Sequence, residues 1–457
     1  MYNAEERSLL AAELADAFLE GPWKTDEVAE RGSSRLDRWP SWMSSLALHV
    51  VAAHRTPPID RPGALVSVIE AFLSGHRGKS EPVQILRLLA YPDPTHPVAD
   101  KRPGLDHHWP IAEIESVSGL ADRLALSEGE LAWLADVCGL ERTVTEAKLR
   151  NYRYRTVPRP SGLTRVIEAP KARLKEIQRW LLREILDHVP PHDAAHGFTR
   201  RRGVITHASL HTGQHAVLRL DLKDFFASVT ARRVYGIFRT VGYAPPVAHV
   251  LTGLSTNAIP VAVWAEIPSA TEPRLVQPHF WLGRQLATPH LPQGAPTSPA
   301  LANLAAFRLD RRLAGLAASL GLRYSRYADD LTFSGSTRLQ DRGGQFQSLV
   351  AEIAREQGFA LNPGKSVLST AAARQSVCGV VVNVHPNIVR TEYDRLKAIL
   401  HNVARRGPES ENRSGVSDFE AHLRGRIAWV ASLNPDRGER LLARFAEIDW
   451  GAPPGAG

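Results

Sequence analysis

The sequence predicts an α+β fold, and three observations predict it. Through residues 1 to about 145 apolar positions recur at helical spacing. Later in the chain short strand-like runs appear, Ala216-Val217-Leu218 and the pair Leu322-Arg323-Tyr324-Ser325-Arg326 and Leu331-Thr332-Phe333. Helical patterns return between and after these runs, as in Arg232 to Tyr243 and Thr391 to Val403.

In chain order, Leu9 to Phe18, Trp42 to Ala53 and Ala64 to Leu73 read as helices separated by Pro/Gly-rich joints, and Pro92-Asp93-Pro94-Thr95-His96-Pro97 reads as a linker. Ser127-Glu128-Gly129-Glu130 before Leu131-Ala132-Trp133-Leu134 is a capping box opening another helix. Tyr154 to Pro170 holds two strand-like pieces around a turn, and Lys171 to Trp180 reads as a basic amphipathic helix with Leu174, Ile177 and Trp180 at helical spacing. Between Thr230 and His290, Arg232 to Tyr243 and Val247 to Leu254 read as helices, with Trp264, Trp281 and several prolines marking a variable loop beyond. After the helix Thr391 to Val403, Glu409 to Ser417 reads as a polar loop. Phe419 to Leu433 is a further segment in which Trp429 reads as core, and a Gly/Pro tail follows Trp450.

The chemistry concentrates at three carboxylates. Asp329 and Asp330 follow one strand-like run and precede another, so they sit at a hairpin tip, and Asp221 lies at the end of the run Ala216-Val217-Leu218. Bare carboxylates held together are costly unless a cation neutralises them. A hard, oxygen-seeking ion such as Mg2+ suits them. Three carboxylates can hold two such ions about 4 Å apart, an arrangement that activates a hydroxyl and stabilises a leaving phosphate oxygen. Nucleotidyl transfer is the chemistry implied.

These segments resemble the A and C motifs of reverse transcriptases, and other motifs of that family follow in order. Leu291-Pro292-Gln293-Gly294-Ala295-Pro296-Thr297-Ser298-Pro299 is similar to motif B, and Gly358-Phe359-Ala360-Leu361-Asn362-Pro363-Gly364-Lys365 to motif D. Tyr154 to Pro170 resembles the fingers hairpin. The resemblance implies a right-hand polymerase with an N-terminal helical extension. It divides the chain into the extension (1–125), fingers with a leading helix (126–215), palm (216–385, with an inserted segment 230–290) and thumb (386–457). Asp221, Asp329 and Asp330 would hold the metals, with the Leu222 carbonyl assisting, and Lys365 would protonate the departing pyrophosphate. Arg165, and more weakly Arg159, would clamp the incoming triphosphate. Gln293 and Gly294 would lie beside the templating pair, and Phe226 would be the gate that favours dNTPs over ribonucleotides. Mg2+ is the expected cofactor, with Mn2+ as its substitute.

The branch resembled is the bacterial retron type. Ala195-His196-Gly197-Phe198, Arg200-Arg201-Arg202-Gly203 and His207-Ala208-Ser209-Leu210-His211 match its early motifs, except that His207 stands where the branch has asparagine. Val377-Cys378-Gly379 occupies the place of Val-Thr-Gly, with Cys378 replacing threonine. The resemblance therefore implies RNA-binding roles for His211, Val377, Cys378 and Gly379. It also implies copying of a structured noncoding RNA into DNA, an RNA-DNA hybrid product, an effector protein as partner and a role in anti-phage defence. Two alternatives stand beside it: a non-retron defence polymerase that is protein-primed or template-independent, and a catalytically dead RNA-binding scaffold.

Composition agrees. With 43% hydrophobic and 23% charged residues the chain is ordinary for a soluble globular protein. No signal peptide and no twenty-residue apolar stretch is present, so a cytoplasmic location without membrane contact is expected. The two cysteines, Cys138 and Cys378, are far apart and form no ligand motif. Residues 1–150 carry 16 basic against 23 acidic side chains, a net −7, whereas 151–457 carry 40 against 25, a net +15. The motif-bearing part is thus the basic part, as a nucleic-acid partner requires.

Overall fold

The computed structural model describes residues 4–19, 23–34, 36, 39–55, 57–58, 62–75, 109–159, 162–270 and 272–450. The expected linker Pro92 to Pro97 and the Gly/Pro tail after Trp450 lie outside the described residues. The chain divides into two compact units, one of residues 1–192, 223–309 and 354–360, the other of 193–222, 310–353 and 361–457.

In the first unit, helices Ala4–Leu19, Thr25–Ser34, Met43–Ala53 and Pro62–Gly75 enclose a core of Leu10, Leu14, Phe18, Met43, Leu46 and Ile69. Thr25–Ser34 has no counterpart among the expected helices, because only Val28 and Ala29 give it an apolar side. The capping box forms as expected: Ser127 Oγ accepts from the Glu130 amide and Glu130 Oε2 from the Ser127 amide. Strands β1 (Tyr152–Pro158) and β2 (Thr164–Pro170) make an antiparallel hairpin. The helix after it runs from Ala172 to Glu184, burying Leu174, Ile177 and Leu181 and leaving Lys175 and Arg179 exposed. One correction concerns the expected loop beyond Leu254. It contains helices Val261–Ala265 and Pro273–Leu286, the second with Pro273 in its first turn, where a missing amide costs nothing, and with Leu282 and Leu286 buried. Pro278 inside that helix had masked its period.

In the second unit, β3 (Ala216–Asp221), β4 (Arg323–Tyr327), β5 (Asp330–Gly335) and β6 (Val367–Thr370) form an antiparallel sheet in the order β4-β5-β3-β6. The outer edge of β4 is covered: Ala195 bridges Arg326, whose amide donates to Ala194 O at 2.7 Å. Strands β7 (Ser376–Val377) and β8 (Val380–Val381) pair through a two-residue turn. Helices Arg390–Arg406, Phe419–Leu433 and Pro435–Ala446 share a core of Leu396, Leu400, Ile427, Val430 and Leu441. Trp429 is a second correction. It is 41% exposed, because Leu423, Ile427, Val430 and Leu433 already occupy the buried face of its helix.

Candidate active site

The acidic tip is a two-residue turn, Ala328-Asp329, closing β4 and β5 where Tyr327 pairs with Asp330. Ala328 has φ 56°, a left-handed conformation that costs an alanine roughly 1–2 kcal/mol. Several groups hold it there. The Arg326 guanidinium, fully buried, donates to the Ala328 carbonyl at 2.9 Å and, through Nε and Nη2, to both oxygens of buried Asp310 at 2.8 and 2.7 Å. Tyr324 donates its hydroxyl to Asp310 Oδ1 at 2.8 Å. Gly197 lies against the turn so closely that a Cβ there would meet the Ala328 nitrogen at 2.6 Å. The Leu222 amide donates to the Asp329 carbonyl at 2.8 Å.

The sheet register sets Asp221 directly opposite Asp330. Asp221 Oδ1 accepts from Lys365 Nζ at 2.8 Å and Oδ2 from Asn362 Nδ2 at 3.3 Å. Burial, followed by the Asp329 and Asp221 carboxylates, raises the Asp330 carboxyl to about 6. Cys378 and Gly379 form the β7–β8 turn, both with positive φ (46° and 83°), a pattern that suits glycine and asparagine better than cysteine. Cys378 Sγ approaches Asp330 Oδ2 at 3.9 Å, and burial, reinforced by Asp330, pushes its thiol up to about 12.

Among the described residues no group of three His, Cys, Asp or Glu side chains is arranged to hold a metal ion as it stands. The donor chemistry nevertheless fits a hard divalent cation. Asp221 and Asp330 offer carboxylate oxygens, burial and then the neighbouring carboxylates raise Asp330, and the Lys365 ammonium supplies a cation on Asp221.

His207 and His211 are fully buried and bind the two strands of the acidic hairpin. Ser325 Oγ on β4 is shared by His211 Nε2 at 2.8 Å and His207 Nδ1 at 2.7 Å, while His211 Nδ1 meets Ser334 Oγ on β5 at 2.7 Å. Burial lowers both imidazoles, His207 to about 2 and His211 to about 3, so both are neutral. The RNA-contact expectation for His211 and Val377 is therefore corrected. Both side chains are 0% exposed, Val377 packing with Ala208, Val217 and Val380, so each supports the hairpin or its neighbour from within. Cys378 is partly exposed and Gly379 exposed.

The residues expected to face the nucleotide belong to the first unit. Arg165 is exposed on β2. Arg159 is tied to Asp224, Nη1 to Oδ1 at 3.0 Å, so one of its donors is already committed. Phe226 is partly exposed and packs on Phe225 with ring centroids 5.7 Å apart. The Gln293 carbonyl accepts from the Glu168 amide at 3.0 Å, and Gly294 has φ 139° with Glu168 O only 2.9 Å from where its Cβ would stand. Glycine is required twice over at that point.

Sequence reasoning missed the residues that hold these in place. Buried Glu168 accepts from Asn257 Nδ2 at 2.7 Å and bonds His290 Nε2 at 2.9 Å. Although burial alone would lower His290, the Glu168 carboxylate raises it. His290 sits one residue before Leu291-Pro292-Gln293-Gly294, a proximity that could have flagged it. Glu168 and Asp310 gave no local signal, since their partners are distant in sequence, and Asn362 stood out only as part of the motif D stretch, without its partner Asp221.

Residues 157–387 match the family described as reverse transcriptase (RNA-dependent DNA polymerase). The chain is similar to Retron Mx65 reverse transcriptase of Myxococcus xanthus, at 42% identity over 65% of each chain. Retron Mx162 reverse transcriptase of the same organism is 35% identical over 74% of this chain and 68% of that protein. Retron Ec86 reverse transcriptase of Escherichia coli is 30% identical over 65% of this chain and 81% of that one. The matched region thus spans just under two thirds of the Mx65 protein.

Proposed function

We propose, from the premise that the chain belongs to the reverse transcriptase family and shares its right-hand fold, that it is a retron-type RNA-directed DNA polymerase. In this reading it copies a structured noncoding RNA into DNA from dNTPs. The observation that carries the proposal is the register pairing of Asp221 with Asp330 beside the strained Ala328-Asp329 turn. Bound Mg2+, for which Mn2+ would substitute, would supply activation of the attacking hydroxyl and stabilisation of the leaving phosphate oxygen. Asp221, Asp329 and Asp330 would hold it, with the Leu222 carbonyl assisting.

The chain's own residues supply the rest. Arg326 and Gly197 fix the turn that presents Asp329, while His207 and His211 fix the strands on either side of it. Lys365, 58% exposed and ion-paired to Asp221, would protonate the pyrophosphate oxygen as it departs. Arg165, with Arg159, would bind the triphosphate, and Gln293-Gly294 would border the templating pair. Cys378 and Gly379, which reach the surface, would meet RNA directly, whereas buried Val377 and His211 would support them from within. A cytoplasmic location, an effector partner and use of the DNA in anti-phage defence belong to the same proposal and rest on the retron resemblance. Among the described residues no helix is long and apolar enough to cross a membrane.

The test supplies the purified protein with the structured RNA encoded beside its gene, dNTPs and Mg2+. DNA covalently joined to that RNA is the expected product, and synthesis that ignores the RNA sequence would remove the proposal. Sugar choice gives a second test. Phe226→Ala is expected to raise ribonucleotide use relative to deoxyribonucleotide about ten- to a hundredfold. A folded variant with unchanged selectivity would show that Phe226 is not the gate.

A further inference from the structure

The first unit contains a cavity of about 780 Å3 between β1 and the turn before it, lined by Lys148, Arg150, Arg153, Arg155, Lys171 and Glu266 among others. Lys148 is paired with Glu146 at 2.9 Å. Among the described residues Arg150, Arg153, Arg155 and Lys171 have no carboxylate partner. Arg150 instead donates to the carbonyls of Val144 and Thr145 at 3.1 Å, and Lys171 Nζ to those of Ala147 and Lys148 at 2.9 and 2.8 Å. Two cations are therefore pinned by neutral acceptors that orient them without cancelling their charge. Partial burial lowers the Lys171 ammonium most; Glu141 pulls it back up, and Arg153 and Arg150, each a smaller influence than Glu141, lower it further. Such crowding is unfavourable in the free protein and is relieved by an anion.

The geometry suits a chain of phosphates better than a single one. Arg153 and Arg155 are exposed and alternate with Tyr152 and Tyr154, so they share one face of β1 about 6.7 Å apart. That step is close to the one between successive phosphates of a nucleic-acid strand. Three of the four unpaired cations are guanidinium groups, whose planar fork matches phosphate oxygens. A cavity of this size accommodates more than one nucleotide unit.

We propose that this cavity is a docking site for the phosphodiester backbone of the RNA, separate from the residues assigned to the incoming triphosphate. The proposal rests on the RNA-copying reading above and names where the first unit would grip that RNA. Contacts of this kind give affinity and position without reading sequence.

The test compares the full-length protein with the double variant Arg153→Gln/Arg155→Gln, whose two side chains are exposed and unpaired, so the fold is retained. Binding of a structured RNA is titrated against salt, and the KM for dNTP is measured on a supplied short primer-template. The expected result is weaker RNA binding at low salt, equal for cognate and scrambled RNA, with the log-log salt slope reduced by roughly 1.4 to 2 and the KM for dNTP unchanged. An unchanged slope and affinity would overturn the site. So would a raised KM for dNTP with RNA binding intact, which would make the cavity part of the triphosphate clamp. If the unaltered protein neither binds nor copies RNA, the functional reading fails instead, and the two failures are told apart.

Discussion

Asp329→Asn together with Asp330→Asn is expected to abolish dNTP incorporation, by more than about a thousandfold, and yet to leave the protein more stable than before. The loss follows from removing two of the three carboxylates at the tip. The gain follows from the electrostatics of the clustered carboxylates. Asp330 has its carboxyl raised from an ordinary 3.8 to about 6, chiefly by burial and then by Asp329 and Asp221. A folded-state pKa above the unfolded one means that the charged form is disfavoured by folding. The penalty is fully present above about pH 6, fades between 6 and 4, and is absent once both states are protonated. Asparagine carries no such penalty, so in chelator at pH 7.5 the double variant should be more stable by on the order of 1–3 kcal/mol, the range allowing for partial solvent screening. Melting curves at pH 7.5 and pH 4 test this, with the gain expected only at the higher pH. Extension by the double variant in Mg2+ would remove the catalytic assignment, and equal melting at both pH values would remove the electrostatic account.

Such a trade between stability and activity also explains which parts of the site were legible in the sequence. Asp221, Asp329 and Asp330 stand out because clustered carboxylates at strand ends have no reason to exist in a packing-only design, and Gly294 because a glycine amid prolines marks a special backbone. The hairpins at Tyr154 to Pro170 and at the acidic tip, the capping box at Ser127 and the helix over Thr391 to Val403 were legible from local periodicity and turn chemistry. The supporting contacts were not. Asp310 meets Arg326 from a helix, Glu168 meets His290 across 122 residues, and Asn362 meets Asp221 across 141. Pairings like these depend on tertiary placement and leave no pattern in a single sequence. His207 and His211 illustrate the converse. Their spacing was legible as a motif, but whether the rings face RNA or the interior is decided by Ser325 and Ser334 on strands more than a hundred residues away.

Arg326 and Asp310 yield the second large effect, because both side chains are completely buried and each is the other's counter-charge. Asp310→Ala should destabilise the protein by about 3–5 kcal/mol, since it strands a guanidinium in the interior. Replacing the pair together, Asp310→Leu with Arg326→Met, removes both charges and is expected to recover most of that loss, because apolar groups of similar volume tolerate such a site. Stability and activity should then part company. Arg326 also donates to the Ala328 carbonyl at 2.9 Å, and Ala328 keeps its left-handed φ of 56° only while its surroundings dictate it. With that donor gone, the turn is released from one of its fixed contacts and Asp329 moves relative to Asp221. The paired variant should therefore unfold at nearly the original urea concentration yet extend a primer at least about tenfold more slowly, a deficit that displacing a reacting group by an ångström readily produces. Extension at the original rate by the stable paired variant would reduce Arg326 to a packing element and leave Gly197 and the histidine-serine contacts as the groups that hold the turn.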